Sequence, residues 1–140
     1  PHYFTFTKDN VDETGRFKMN PPLGTIEDKT AVIEAVKNGV IDVISTDHAP
    51  HTEKEKLKPY NKAPNGITGL ETAFSLSYQT FGLDLALEKM AYTPRRILSI
   101  NPKREIEVDL DEKWVVDGRK FNSKCKITPY QGMELKGKIL

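Results

Sequence analysis

Residues 40–51 read VIDVISTDHAPH. Val40, Ile41, Val43 and Ile44 are apolar and β-branched, and the stretch ends in Asp47, His48 and His51. Such a run predicts a strand over residues 40–46, apolar enough to be buried on both faces as in parallel sheets covered by helices. Ligands in α/β folds bind beyond the carboxyl ends of the strands, and Asp47 stands at that end. A carboxylate there can bind a divalent metal, act as a general base, or do both. An imidazole on the following loop can contact a substrate anion. The same spacing also describes a capping Asp beside a surface His, and spacing alone leaves both readings open.

The segment before this strand carries strong helix signals. Thr25 suits an N-cap with Asp28 three residues on, Ala31, Val32, Ala35 and Val36 form a stripe at helical period, and Gly39 suits the position after the helix. Helix, turn and buried strand make an αβ unit. Residues 3–7 read as a short extended segment, and Pro21 and Pro22 end a second one. After the strand, TEKEKLKPYNK (52–62) reads as a solvated loop face, and APNGITG (63–69) as a Gly-rich turn into a helix. DLALEKMAYTPRRILSI (84–100) predicts one or two more helices, interrupted at Thr93–Pro94. From about residue 105 the texture turns to short alternating runs, EIEVDL, KWVVDG and MELKGKIL, which read as antiparallel β. A boundary is therefore expected near residues 101–106.

The composition narrows the function class. With 140 residues the chain can bury a modest core, and 21 basic against 20 acidic side chains give a net charge near +1. No basic excess points to nucleic acid. No apolar run reaches the roughly 18 residues of a membrane span, and no signal peptide opens the chain. The lone Cys125 excludes an internal disulfide framework, so a cytoplasmic location is the default expectation. A zinc site normally takes three or four protein ligands. Three His, one Cys and no H-x-H or C-x-x-C pair cannot build a binuclear site by themselves. Both ends look cut from something larger.

TDHAPH (46–51) with a trailing EK resembles the dihydroorotase signature of the amidohydrolase superfamily, especially the bacterial type I enzymes. KMNPPL (18–23), APNGITGLETAF (63–74) and SKCKITPYQGMELKG (123–137) extend the resemblance in the family's order over nearly the whole chain. Allantoinase and dihydropyrimidinase share the barrel and the strand-end Asp, but usually differ after it, so His51 favours dihydroorotase. The resemblance implies an α/β fold: the carboxy-terminal part of a (β/α)8 TIM-type barrel over residues 1–105, then strands of a small β-sandwich over 106–140. It implies two zinc ions at the barrel mouth of the complete enzyme, whose other ligands lie on strands absent here. The missing amino-terminal portion of the barrel then becomes a required partner, and this chain alone is expected to be inactive. Neither nucleic acid nor membrane is expected as a partner, and a homo-oligomer is compatible with the reading.

Carried over by motif, Asp47 matches the zinc-binding aspartate and proton shuttle, and His51 matches a residue that binds the substrate carboxylate. Asn20 matches a substrate-binding asparagine, and Asn65 and Gly66 match a dipeptide contacting the pyrimidine ring through backbone. The implied reaction is the zinc-dependent, reversible hydrolysis of L-dihydroorotate to N-carbamoyl-L-aspartate in pyrimidine synthesis. The chain departs from the family in having Asn65 where Phe is common and Gly24 where Arg is common. His2 is expected to pack or to support the site rather than to bind metal, and His48 to point away from Asp47. Trp114, Phe121 and Tyr130 are expected in the sandwich core. A non-catalytic, scaffold-like relative is the contrasting expectation.

Overall fold

Thr25 and Asp28 start helix α2 (Ile26–Lys37) with a complete capping box in the computed structural model, which describes residues 1–101 and 105–140. Asp28 N–H donates to Thr25 Oγ1 at 3.3 Å, and Thr25 N–H donates to Asp28 Oδ2 at 2.8 Å. Two otherwise orphaned backbone donors are thereby satisfied. Gly39 leaves the helix at φ +76°, as expected of the residue after a helix. The buried face differs slightly from the expected stripe: Val36 is buried and Val32 and Ile33 pack on the core, while Ala31 is exposed.

The strand expected over residues 40–46 is corrected: they form neither helix nor strand. Among the described residues they join no sheet. Their backbone is held instead by Lys89, whose Nζ donates to Ile41 O at 2.7 Å and whose carbonyl accepts from Ile44 N–H at 3.0 Å. A strand is defined by its neighbours, and the described residues present none here. Exposure varies along it: Val40 is 76 % exposed, Val43 half-buried and Ile44 only 8 % exposed. Ile44 packs into the chain's own apolar core.

Residues 3–7 are also corrected. His2–Thr5 form a single helical turn, α1, closed by Phe6 N–H donating to His2 O at 2.9 Å. The 52–62 segment opens with a short helix, α3 (Glu53–Lys56), capped by Thr52 and Glu55, rather than a plain loop. Helix α4 (Ala73–Phe81) follows the Gly-rich turn as expected. Beyond it, α5 (Leu83–Leu87), a π-helical turn (Glu88–Tyr92) and α6 (Thr93–Leu98) run on without the expected break. Pro94 follows the π-helical turn directly, in the first turn of α6.

The carboxy-terminal part supplies one antiparallel pair, β1 (Val108–Val115) with β2 (Glu134–Ile139). EIEVDL and KWVVDG thus contribute to one strand, not two. Helix α4 packs on β2, and Gly137 makes that approach possible: at φ +82°, an added Cβ there would fall 2.7 Å from the Tyr78 ring. Part of the expected boundary near 101–106 lies outside the described residues. One apolar cluster spans both sides of it, with the Tyr130 ring stacked on Phe6 at 5.1 Å and Phe121 buried beside them, while Trp114 is half-buried.

Candidate active site

Three loops meet where the sequence places its candidates: 18–21, 47–51 and 64–70. Asp47 is exposed and holds φ +50°, a left-handed conformation that a non-glycine residue adopts at a cost of roughly 1–3 kcal/mol. Its neighbours hold it there. Ala49 N–H donates to Ile67 O at 3.0 Å, and His48 pairs with Ile67 in an isolated parallel bridge. His48 Nδ1 accepts the Gly69 and Leu70 N–H groups at 3.3 and 3.1 Å. His48 Nδ1 therefore clamps the 67–70 turn as an acceptor.

His51 is anchored as well. Its Nε2–H donates to Asn65 O at 2.8 Å, because a carbonyl can only accept. The ring nitrogen left for a ligand is Nδ1. Gly66 sits at φ +119°, and an added Cβ would fall 2.5 Å from Ala49 O and 3.3 Å from His51 Nε2. Only glycine lets the 64–66 turn lie against the backbone that carries Asp47 and His51. Gly66 N–H donates to Lys18 O at 3.0 Å, which ties the same turn to the segment bearing Asn20.

Two residues at this junction were not singled out in the sequence. Tyr3 donates its hydroxyl to Pro21 O at 2.6 Å, next to the cis Asn20–Pro21 bond. Partial burial, and then the nearby Asp47 charge, raise its phenol pKa. Lys56 is only 2 % exposed, and its ammonium donates to Lys18 O, Pro64 O and Gly66 O at 3.1, 3.1 and 2.6 Å. Burial pulls it down to about 8, opposed by Cys125 and assisted by Lys18. The TEKEKLK run hid it, because five of those seven side chains are charged and nothing local marks one as buried.

The structure thus brings His51, Asn65 and Gly66 into direct contact and ties them to the Asn20 segment through Lys18. Asp47 shares the His51 loop. His2 stands apart: it is 2 % exposed, packs edge-on against Tyr3 with centroids 4.1 Å apart, and neither ring nitrogen has a partner among the described residues. Burial lowers its pKa to about 4. Among the described residues no group of three or more His, Cys, Asp or Glu side chains could hold a metal ion, so Asp47 is at most one ligand of a larger set. A cleft of about 530 Å³ lies between α4–α6 and β1, lined mainly by apolar side chains such as Phe74, Leu87, Met90 and Val108. It contains Thr46 but neither Asp47 nor His51.

No family model matches the chain. The dihydroorotase of Wolbachia sp. subsp. Drosophila simulans is 41 % identical over 155 residues, covering 100 % of this chain and 35 % of that protein. The dihydroorotase of Geobacter metallireducens is 44 % identical over 151 residues, covering 98 % and 36 %. Among solved structures, the L-hydantoinase (dihydropyrimidinase) of Arthrobacter aurescens superposes with a TM-score of 0.82 at 26 % identity, covering 98 % of this chain and 35 % of that one. No helix among the described residues is long and apolar enough to cross a membrane. The chain is a homologue of the dihydroorotases and spans about a third of the length of the curated relatives it matches.

Proposed function

We propose that these residues form the substrate-facing loops of a dihydroorotase, which interconverts L-dihydroorotate and N-carbamoyl-L-aspartate in pyrimidine synthesis. The observation that carries the reading is the Asp47–His51 loop, pinned to the Asn65–Gly66 turn with Asp47 in a left-handed conformation. Backbone strain held in place by surrounding contacts is a mark of functional positions. In this reading residues 1–105 are the carboxy-terminal part of a (β/α)8 barrel, residues 106–140 are strands of a small sandwich, and the rest of the barrel lies outside this chain. The location is cytoplasmic, where the lone Cys125 stays reduced.

The described residues do not complete a zinc site, so no step is assigned through the metal; Asp47 is the side chain this chain would lend to one. What the chain's own groups do follows from their geometry. Hydrolysis forms a C–O bond at the ring amide carbonyl and breaks the C–N bond, with the water's proton passing to the leaving nitrogen. The Asp47 carboxylate is the group here that can take that proton and hand it on. With Nε2–H donated to Asn65 O, His51 meets the substrate carboxylate through Nδ1. Only an imidazolium donates from both nitrogens, so carboxylate binding and protonation of His51 go together.

The likeness to an L-hydantoinase (dihydropyrimidinase) supports a second reading, a related cyclic amide hydrolase. Dihydrouracil is dihydroorotate without the carboxylate, so the two substrates separate the readings. In the full-length protein, Asp47→Asn is expected to lower dihydroorotate turnover by roughly 10²–10⁴-fold without loss of folding. Activity within tenfold of wild type would refute the role of Asp47. Preference for dihydrouracil would favour the second reading.

A further inference from the structure

We infer that Lys56 is a positioning residue, whose ammonium sets the relative placement of the Asn20, His51 and Asn65–Gly66 loops. The inference deepens the functional reading above and rests on it for the substrate involved.

A lysine is rarely buried without a partner for its charge. Here the partners are three backbone carbonyls, of Lys18, Pro64 and Gly66, one for each ammonium proton. Each carbonyl belongs to a loop that holds a candidate. Lys18 is two residues before Asn20, and Pro64 and Gly66 flank Asn65, whose carbonyl anchors His51. Lys56 is joined to His51 along the chain too. Thr52, next to His51, caps α3 through its mutual bonds with Glu55, and Lys56 follows Glu55. One ammonium therefore ties together both ends of the Asn65–His51 bond.

The charged and titratable groups felt by Lys56 are Cys125 and Lys18, the latter lying over the Tyr60 ring at 5.3 Å. Neither is a carboxylate, so the carbonyls are its direct partners. Lys56 touches no substrate in this reading and acts through His51 and the turn.

The test uses the full-length protein with ¹⁵N-labelled histidine, as wild type, Lys56→Met and Val36→Ala. The last truncates a buried side chain of α2 and controls for general destabilisation. In wild type, His51 is expected to show the Nε2–H form. In Lys56→Met that preference is expected to vanish, with hydrogen exchange at the Gly66 and Ala49 amides faster by about tenfold or more. Val36→Ala should change neither. The KM for dihydroorotate is expected to rise on the order of 10- to 100-fold in Lys56→Met, with kcat less affected. Unchanged His51 tautomer and amide protection in Lys56→Met, or equal loss in Val36→Ala, overturns the inference. If Lys56→Met does not fold, Lys56→Gln, which keeps two donors, is read by the same His51 signals. Absence of dihydroorotate turnover in wild type would sink the functional reading alone, since the histidine signals still decide the placement by Lys56.

Discussion

Replacing Gly66 by Ala tests the geometry of the site with an internal control. At φ +119° an alanine is strained whatever space surrounds it, at roughly 1–3 kcal/mol. The added Cβ would also fall 2.5 Å from Ala49 O and 2.8 Å from Ala49 Cβ, contacts that only a backbone shift can relieve. Overpacking of that kind costs about another 1–3 kcal/mol. Gly39 offers the comparison, since its φ is +76° but nothing lies within 4 Å of an added Cβ. Gly39→Ala therefore bears the conformational cost alone. The expected difference between the two variants is at least the contact cost, about 1–3 kcal/mol, because φ +119° also lies further than φ +76° from the left-handed region an alanine tolerates. Urea unfolding of the full-length protein measures both, and the KM for dihydroorotate measures the consequence, because the turn that moves carries Asn65 and so displaces His51. Gly66→Ala should raise KM and Gly39→Ala should not. If the two variants unfold within about 0.5 kcal/mol of each other with equal KM, the close approach of the 64–66 turn to the Asp47–His51 loop is not what positions the site.

Removing the imidazole by His51→Ala should raise the KM for dihydroorotate by the equivalent of about 1.5–3 kcal/mol, the range for a hydrogen bond to a charged group, and leave dihydrouracil unaffected; equal effects on both substrates would show that His51 does not meet the carboxylate. The Lys56 ammonium, lowered from 10.5 to about 8 by burial, binds a proton less readily in the folded than in the unfolded state. Its contribution to stability is thus fully present above the unfolded value and lost as pH falls through about 8, so stability should rise between those limits. Urea midpoints at pH 7 and pH 10 check this, and a rise of the same size in Lys56→Met would assign it to other groups. The 140-residue chain by itself should bind zinc weakly and turn over no dihydroorotate, because the described residues offer no cluster of three ligands; tight stoichiometric zinc in a calorimetric titration would contradict this.

Features whose cause is local were legible in the residues. Helix α2 starts at Thr25 because two side chains within one turn satisfy each other's backbone donors, and it stops at Gly39 because that backbone angle suits glycine. Asp47, His51, Asn20 and the Asn65–Gly66 pair were proposed from short motifs, each contained whole in a few consecutive residues. Features whose cause is distant were decided by the tertiary structure. Residues 40–46 have the composition of a strand, yet a ladder needs neighbours, and Lys89 takes their place in bonding this segment. The His51–Asn65 bond joins positions 14 apart, and it fixes which imidazole nitrogen remains for a ligand. Lys56 sits in a run that reads as solvated surface, because a lysine is buried only where enough acceptors converge on it. Its carbonyl partners lie 38, 8 and 10 residues away, and no window of the chain contains all of them.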